Sequence, residues 1–166
     1  MIRIILTAIG IVMGYLLQST GLPQLAGVFP DVLIILVVAA GYTRGQMAGM
    51  MTGLFSGLLL DCNVGSIVGL YAAFYLLIGY LIGFSNKVYD RDDYIMPIVF
   101  IGLSEFVYNN LYYVINFLLR GRLDYGYYLG RIMLPRTIYT LAVGIVLYKF
   151  YHSIHHFLLR LEQKEE

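Results

Sequence analysis

The chain has 166 residues, is 60% hydrophobic and carries only 13% charged residues, about half the charged share of an ordinary soluble domain, and its mean hydropathy is +0.76. With 11 basic against 10 acidic side chains the net charge is +1, and no basic patch interleaved with aromatics stands out, which argues against a nucleic-acid partner and, with the apolar content, against a soluble enzyme. The one cysteine, Cys62, cannot form an internal disulfide and reads as small apolar filler at a membrane edge.

The expected class is an all-α integral membrane protein, a single transmembrane domain over residues 1–166. A bilayer core about 30 Å thick takes roughly 20 helical residues. By that measure the sequence supplies about six spans: Ile4 to Leu22, Val32 to Tyr42, Met47 to Leu60, Ser66 to Phe84, Ile95 to Leu119 and Arg131 to Tyr151. The first follows a single basic residue, Arg3, with no small-residue cleavage site after it, so it reads as a retained span and not a signal peptide. Pro30-Asp31 opens the second: proline is harmless at the first helical position, and Asp31 complements the positive helix end. The second and third spans are short and flank Arg44-Gly45, which suits either a helix pair that does not fully cross or one long broken element. Five spans is the competing count.

From Gly45 to Gly83 glycine sets the pattern. Gly45, Gly49, Gly53 and Gly57 recur every four residues, and Gly65 with Gly69 and Gly79 with Gly83 repeat the spacing. In water each interior glycine costs roughly 1 kcal/mol relative to alanine. In lipid, small residues at this spacing are how helices reach close van der Waals contact. The stretch is expected to be a tightly packed transmembrane hairpin, jointed at Asp61 to Gly65, whose glycine grooves receive a neighbouring helix of this chain or of a partner.

In the fifth span Glu105 lies near mid-depth, and Asn109, Tyr112 and Asn116 follow at spacings of four, three and four, on one helical face. An intramembrane charge is costly and normally faces protein or water with a partner. The stripe is an ion, proton or ligand path on one reading. On the plainer and favoured one it is an interhelical hydrogen-bond seam, each bond worth about 0.6 kcal/mol. With a rise of about 1.5 Å per residue, Arg136 near the start of the last span lies shallower than Glu105, and the two are not expected to touch. Asp61 is closer in depth and is the expected ion-pair partner of Arg136.

The 16 tyrosines, with no tryptophan, read mainly as an interfacial belt, with Tyr125, Tyr127 and Tyr128 in an outer loop and Tyr148 and Tyr151 ending the last span. His152 and His156 are four apart, a spacing that suits a metal, but no cysteine or carboxylate is near and a basic membrane-surface tail is the commoner meaning. No nucleotide-binding, hydrolase or metalloprotease motif is present, so neither catalytic residues nor a cofactor are expected. With the N-terminus inside, Arg3, Arg44, Lys87, Arg91, Lys149, Arg160 and Lys164 are cytoplasmic and only Arg120, Arg122, Arg131 and Arg136 lie outside, which favours both termini in the cytoplasm.

The order of features, with Pro30-Asp31, Arg44-Gly45, Gly57-Leu58-Leu59-Leu60-Asp61, Gly65 and Gly69-Leu70-Tyr71-Ala72, resembles the rod shape-determining protein MreD family, most distinctively over Phe29 to Gly83. The resemblance implies a non-enzymatic component of the elongation machinery in the bacterial inner membrane, working beside MreC as its most direct partner, with MreB, RodA and RodA's partner transpeptidase, and helping to direct lateral peptidoglycan synthesis. It also implies a compact bundle similar to the substrate-binding components of energy-coupling-factor transporters. The residues it carries over are Pro30, Asp31, Gly57, Asp61, Gly65, Gly69 and Tyr71, none of them catalytic. The rival is a solute-binding transport subunit in which Glu105, Asn109, Tyr112 and Asn116 line a pocket for a vitamin-like molecule.

Overall fold

A computed structural model describes residues 2–20, 29–64, 69–87, 95–116 and 125–162, and all regular structure among them is helical. The elements are α1 (Ile2–Thr20), α2 (Val32–Arg44), α3 (Gln46–Val64), α4 (Leu70–Ser85), α5 (Ile95–Asn116), the short α6 (Tyr125–Tyr128), a π-helical turn (Leu129–Met133) and α7 (Leu134–Glu162). Gly65, the expected ends of the first span at Leu22 and of the fifth at Leu119, the expected start of the fourth at Ser66, and the loop and tail charges Arg91, Arg120, Arg122 and Lys164 lie outside the described residues.

The short apolar segment after Asp31 is the axis of the bundle. Of the 13 residues of α2, 11 are buried, and α1, α3, α4, α5 and α7 all pack against it. A helix apolar all the way round has no face to give to water and suits either a core or lipid; its burial by five neighbours makes this one the core. Its 13 residues extend only about 20 Å at 1.5 Å each.

α2 and α3 are two helices folded back on each other, which removes the alternative of one long broken element. The turn is a single residue, Gly45, at φ +89°, a left-handed conformation that glycine adopts without penalty. Its N–H donates to Gly41 O at 2.9 Å, and its carbonyl accepts from Gly49 N at 3.0 Å, so both helix ends are closed through it. Across the turn, the Asn86 amide donates to Tyr42 O and ties the end of α4 to the end of α2.

α3 and α4 touch backbone to backbone. A Cβ added at Gly53 would fall on the Tyr75 carbonyl, one at Gly57 on the backbone of Tyr71 and Ala72, one at Gly79 on the Gly49 carbonyl, and one at Gly83 on the backbone of Gln46. Gly41 of α2 joins this seam: a Cβ there would lie 3.2 Å from Gly79 O and 3.6 Å from Gly49 Cα. The outer faces of the pair carry Met47, Met51, Phe55, Leu77, Leu81 and Phe84, all exposed, an apolar surface of the sort that lipid covers.

Several boundaries differ from the sequence expectation: α4 begins at Leu70 and not at Ser66, and α7 continues past Tyr151 to Glu162. α3 runs through the expected polar joint to Val64, and the last helical column starts at Tyr125 and not at Arg131. Tyr125, Tyr127 and Tyr128 are therefore helical, not loop residues. Ile95–Ile115 and Tyr125–Ile154 are each long and apolar enough to cross a membrane, and Ile5–Thr20, Val32–Arg44 and Leu70–Ser85 are shorter apolar helices.

Candidate functional site: a buried charge cluster

The starts of α2 and α7, the first half of α4 and the middle of α5 converge on a polar cluster in an otherwise apolar bundle, and it starts from a helix cap. Asp31 is the N-cap of α2, and its Oδ1 accepts from Ile34 N at 3.1 Å, satisfying one of the amides that a helix start leaves bare. Pro30 therefore precedes the cap instead of occupying the first helical position, because the carboxylate has to sit there to reach Ile34. The other oxygen, Oδ2, accepts from Tyr75 Oη of α4 at 2.6 Å and lies 3.3 Å from Nη2 of Arg136 on α7. Asp31 N–H donates to Thr140 Oγ1, also on α7, at 3.1 Å. Asp31 is 0% exposed.

Arg136 bridges to a second acid. Its Nε is 3.0 Å from Glu105 Oε1 on α5, although the N–H is not directed along that line, so the contact is ionic and not a hydrogen bond. Asn109 Nδ2, one turn further along α5, donates to the same Oε1 at 3.0 Å and to Glu105 O at 2.9 Å. The guanidinium carbon stands 5.6 Å from the Tyr108 ring centroid, a cation–π distance. Tyr108 in turn meets Tyr75 edge-on at 5.6 Å, and Tyr71 and Tyr112 at 6.2 and 6.4 Å. Two carboxylates face one guanidinium here, and the N-terminus of α2 adds roughly half a positive charge beside Asp31. Close to balance, the cluster ties four helices together.

The family model described as rod shape-determining protein MreD matches residues 1–157. The chain belongs to the MreD family. No curated protein and no solved structure matches it. As a member of the MreD family it is a rod shape-determining membrane protein, and the match extends well beyond Phe29 to Gly83 to take in the helices that carry Glu105 and Arg136.

Of the seven residues carried over by the MreD resemblance, Asp31, Asp61 and Tyr71 make polar contacts at this end of the bundle, but the expected Asp61–Arg136 pair does not form. Asp61 reaches from α3 to the start of α4, where its two oxygens accept from Tyr71 N at 3.1 Å and Ala72 N at 3.0 Å. α4 needs this borrowed cap because its own N-cap, Gly69 at φ +94°, has no side chain to offer. Arg136 and Glu105, expected at different depths, meet instead. Eleven residues separate Glu105 from the end of α5 at Asn116, and eleven separate Tyr125 from Arg136, which sets the two at matching heights. From sequence Tyr125, Tyr127 and Tyr128 read as interfacial loop residues, whereas the helical column that carries Arg136 begins at Tyr125 and passes through a π-helical turn at Leu129–Met133, where the 3.6-residue period is interrupted.

Of the polar stripe, Glu105 and Asn109 are wholly buried and bonded to each other, and Tyr112 is partly buried against Tyr71 and Tyr108. Asn116 is the last residue of α5, and nothing is described of its side chain. Tyr108 lies on the same helical face, and sequence alone does not single it out because a tyrosine in a membrane protein is most simply an interfacial residue. Gly49, Gly53, Gly57, Gly79 and Gly83 face the other helix of the seam, so those grooves are filled from within the chain, and Gly45 and Gly69 serve as turn and cap. His152 is buried with its ring 6.0 Å from that of Tyr148.

Proposed function

We propose that this chain is a non-enzymatic scaffold of the bacterial cell-elongation machinery, which holds MreC so that lateral peptidoglycan synthesis by RodA and its partner transpeptidase stays aligned with MreB. The observation that carries the reading is the family match over residues 1–157. The inward-turned chemistry agrees with it: Asp31, Asp61, Glu105 and Arg136 are all engaged by other parts of the same chain. In this reading the protein lies in the inner membrane as a six-span bundle similar to the substrate-binding components of energy-coupling-factor transporters. Both termini are cytoplasmic and the charge cluster lies toward the outer side. Because the α3–α4 glycines are occupied, the single helix of MreC docks on an exposed apolar face and not in the glycine seam.

The test is recovery of MreC with the tagged chain from native membranes, beside restoration of rod shape in cells depleted of the endogenous protein. Co-recovery of MreC and restored rods are expected. Rods restored by a chain that recovers no MreC would overturn the scaffold reading.

A further inference from the structure

Among the described residues, three buried polar atoms of the charge cluster have no hydrogen-bond partner: Glu105 Oε2, Asn109 Oδ1 and Arg136 Nε. They belong to one neighbourhood, since Asn109 is bonded to Glu105 at 3.0 Å and Arg136 Nε lies 3.0 Å from the same carboxylate. Glu105 and Asn109 are each 0% exposed. An unpartnered buried acceptor is expensive, and a charged one more so. Two acceptors cannot satisfy each other.

The groups packed around them leave little to spare. From α2, Asp31 is itself an acceptor; from α4, the Tyr75 hydroxyl is given to Asp31; from α7, Thr140 Oγ1 takes the Asp31 N–H, and Nη2 of Arg136 goes to Asp31. From α5, Tyr108 presents its ring face to the guanidinium. A metal cation would sit beside that guanidinium and be repelled by it. No surplus negative charge calls for one, because the α2 N-terminus and the Tyr75 hydroxyl help hold Asp31, and Arg136 serves Glu105 as well. Two open acceptors and one open donor are the hydrogen-bonding complement of a water molecule, which donates two bonds and accepts at least one.

We propose that the α5–α7 junction is built around one bound water, donating to Glu105 Oε2 and Asn109 Oδ1 and accepting from Arg136 Nε–H. The water keeps the Glu105 carboxylate solvated inside the bundle and makes Asn109 a positioning residue for it. A structure of the full chain in nanodiscs, at a resolution that shows ordered waters, is expected to place a density peak within hydrogen-bond reach of all three atoms. A well-ordered map with no peak there would overturn the proposal.

Thermal melting in detergent gives an independent readout. Asn109→Gln extends the amide by one methylene into the space of the water and keeps a donor there, so it should melt within a few degrees of the parent. Asn109→Leu removes both water partner and donor, and should melt well below it. Glutamine costing as much as leucine would mean that side chains already fill the space, and would sink the idea. So would a melting temperature that rises with sodium, potassium or ammonium but not with choline chloride, which would identify the occupant as a cation.

Discussion

Between α3 and α4 the chain obtains contact by removing side chains, so that the backbone at Gly53 rests on the backbone at Tyr75. Where α2, α5 and α7 meet it buries two acids, Asp31 and Glu105, against the partly exposed Arg136. The seam is a matter of volume: any atom added there has nowhere to go, and no charge is involved. The cluster is a matter of charge, since what counts is that each carboxylate keeps its donors. In a bilayer, where hydrophobicity gives helices no reason to associate, these are two separate means of holding a bundle together, and each should fail to a different kind of substitution.

The largest effect is expected at the seam. Gly53→Ala would put a methyl on the Tyr75 carbonyl, and because backbone cannot yield as a side-chain tip does, the cost should be about 3 kcal/mol or more. The variant should be lost to aggregation on detergent extraction or show a much lower melting temperature. Gly126→Ala is the control: nothing lies within 4 Å of the added carbon, and alanine in a helix is favoured over glycine by roughly 1 kcal/mol. Equal melting temperatures for the two variants would show that the α3–α4 contact is looser than described.

Next comes the cluster. Arg136→Met keeps the volume of the side chain but leaves Asp31 and Glu105 buried without their cation, a loss of about 3–5 kcal/mol. Adding Asp31→Asn and Glu105→Gln to the same chain removes the stranded charges and should recover much of that loss, whereas no charge substitution should rescue Gly53→Ala. A triple variant no more stable than Arg136→Met would show that the cluster is held by shape and not by charge.

The two regions also differ in how far the sequence discloses them. Gly49, Gly53 and Gly57 declare themselves by a local four-residue period, and since the partner helix α4 follows immediately in the chain, spacing alone brings the seam into view. Gly41 stands four residues before Gly45 and continues that period, but it lies in the apolar segment before the Arg44-Gly45 break, so the spacing alone does not show that it joins the same seam. Residues 31, 105 and 136 are separated by most of the chain, and their meeting depends on the relative heights of α5 and α7. Those heights are set by where the last column begins and by its π turn at Leu129–Met133, which no apolar period signals. The helical face carrying Glu105 and Asn109 was legible, but its partner was not. The centrality of α2 was foreshadowed only by its uniform apolarity, which a lipid-facing span would share.

The smallest effect, and the sharpest discrimination between partners that depth alone could not separate, concerns Asp61. Its carboxylate serves the Tyr71 and Ala72 amides, so Asp61→Ala is a cap deletion, worth about 1 kcal/mol, and not the loss of an ion pair. Combined with Arg136→Met it should give a strictly additive change in melting free energy, because the two sites share no partner. Asp31→Asn combined with Arg136→Met should instead be less costly than the sum of the singles, since the second substitution removes a charge that the first has already deprived of its partner. A coupling energy between residues 61 and 136 as large as that between 31 and 136 would mean that Arg136 divides its time between the two acids. The α7 arginine would then be a moving part at this end of the bundle and not a fixed tie.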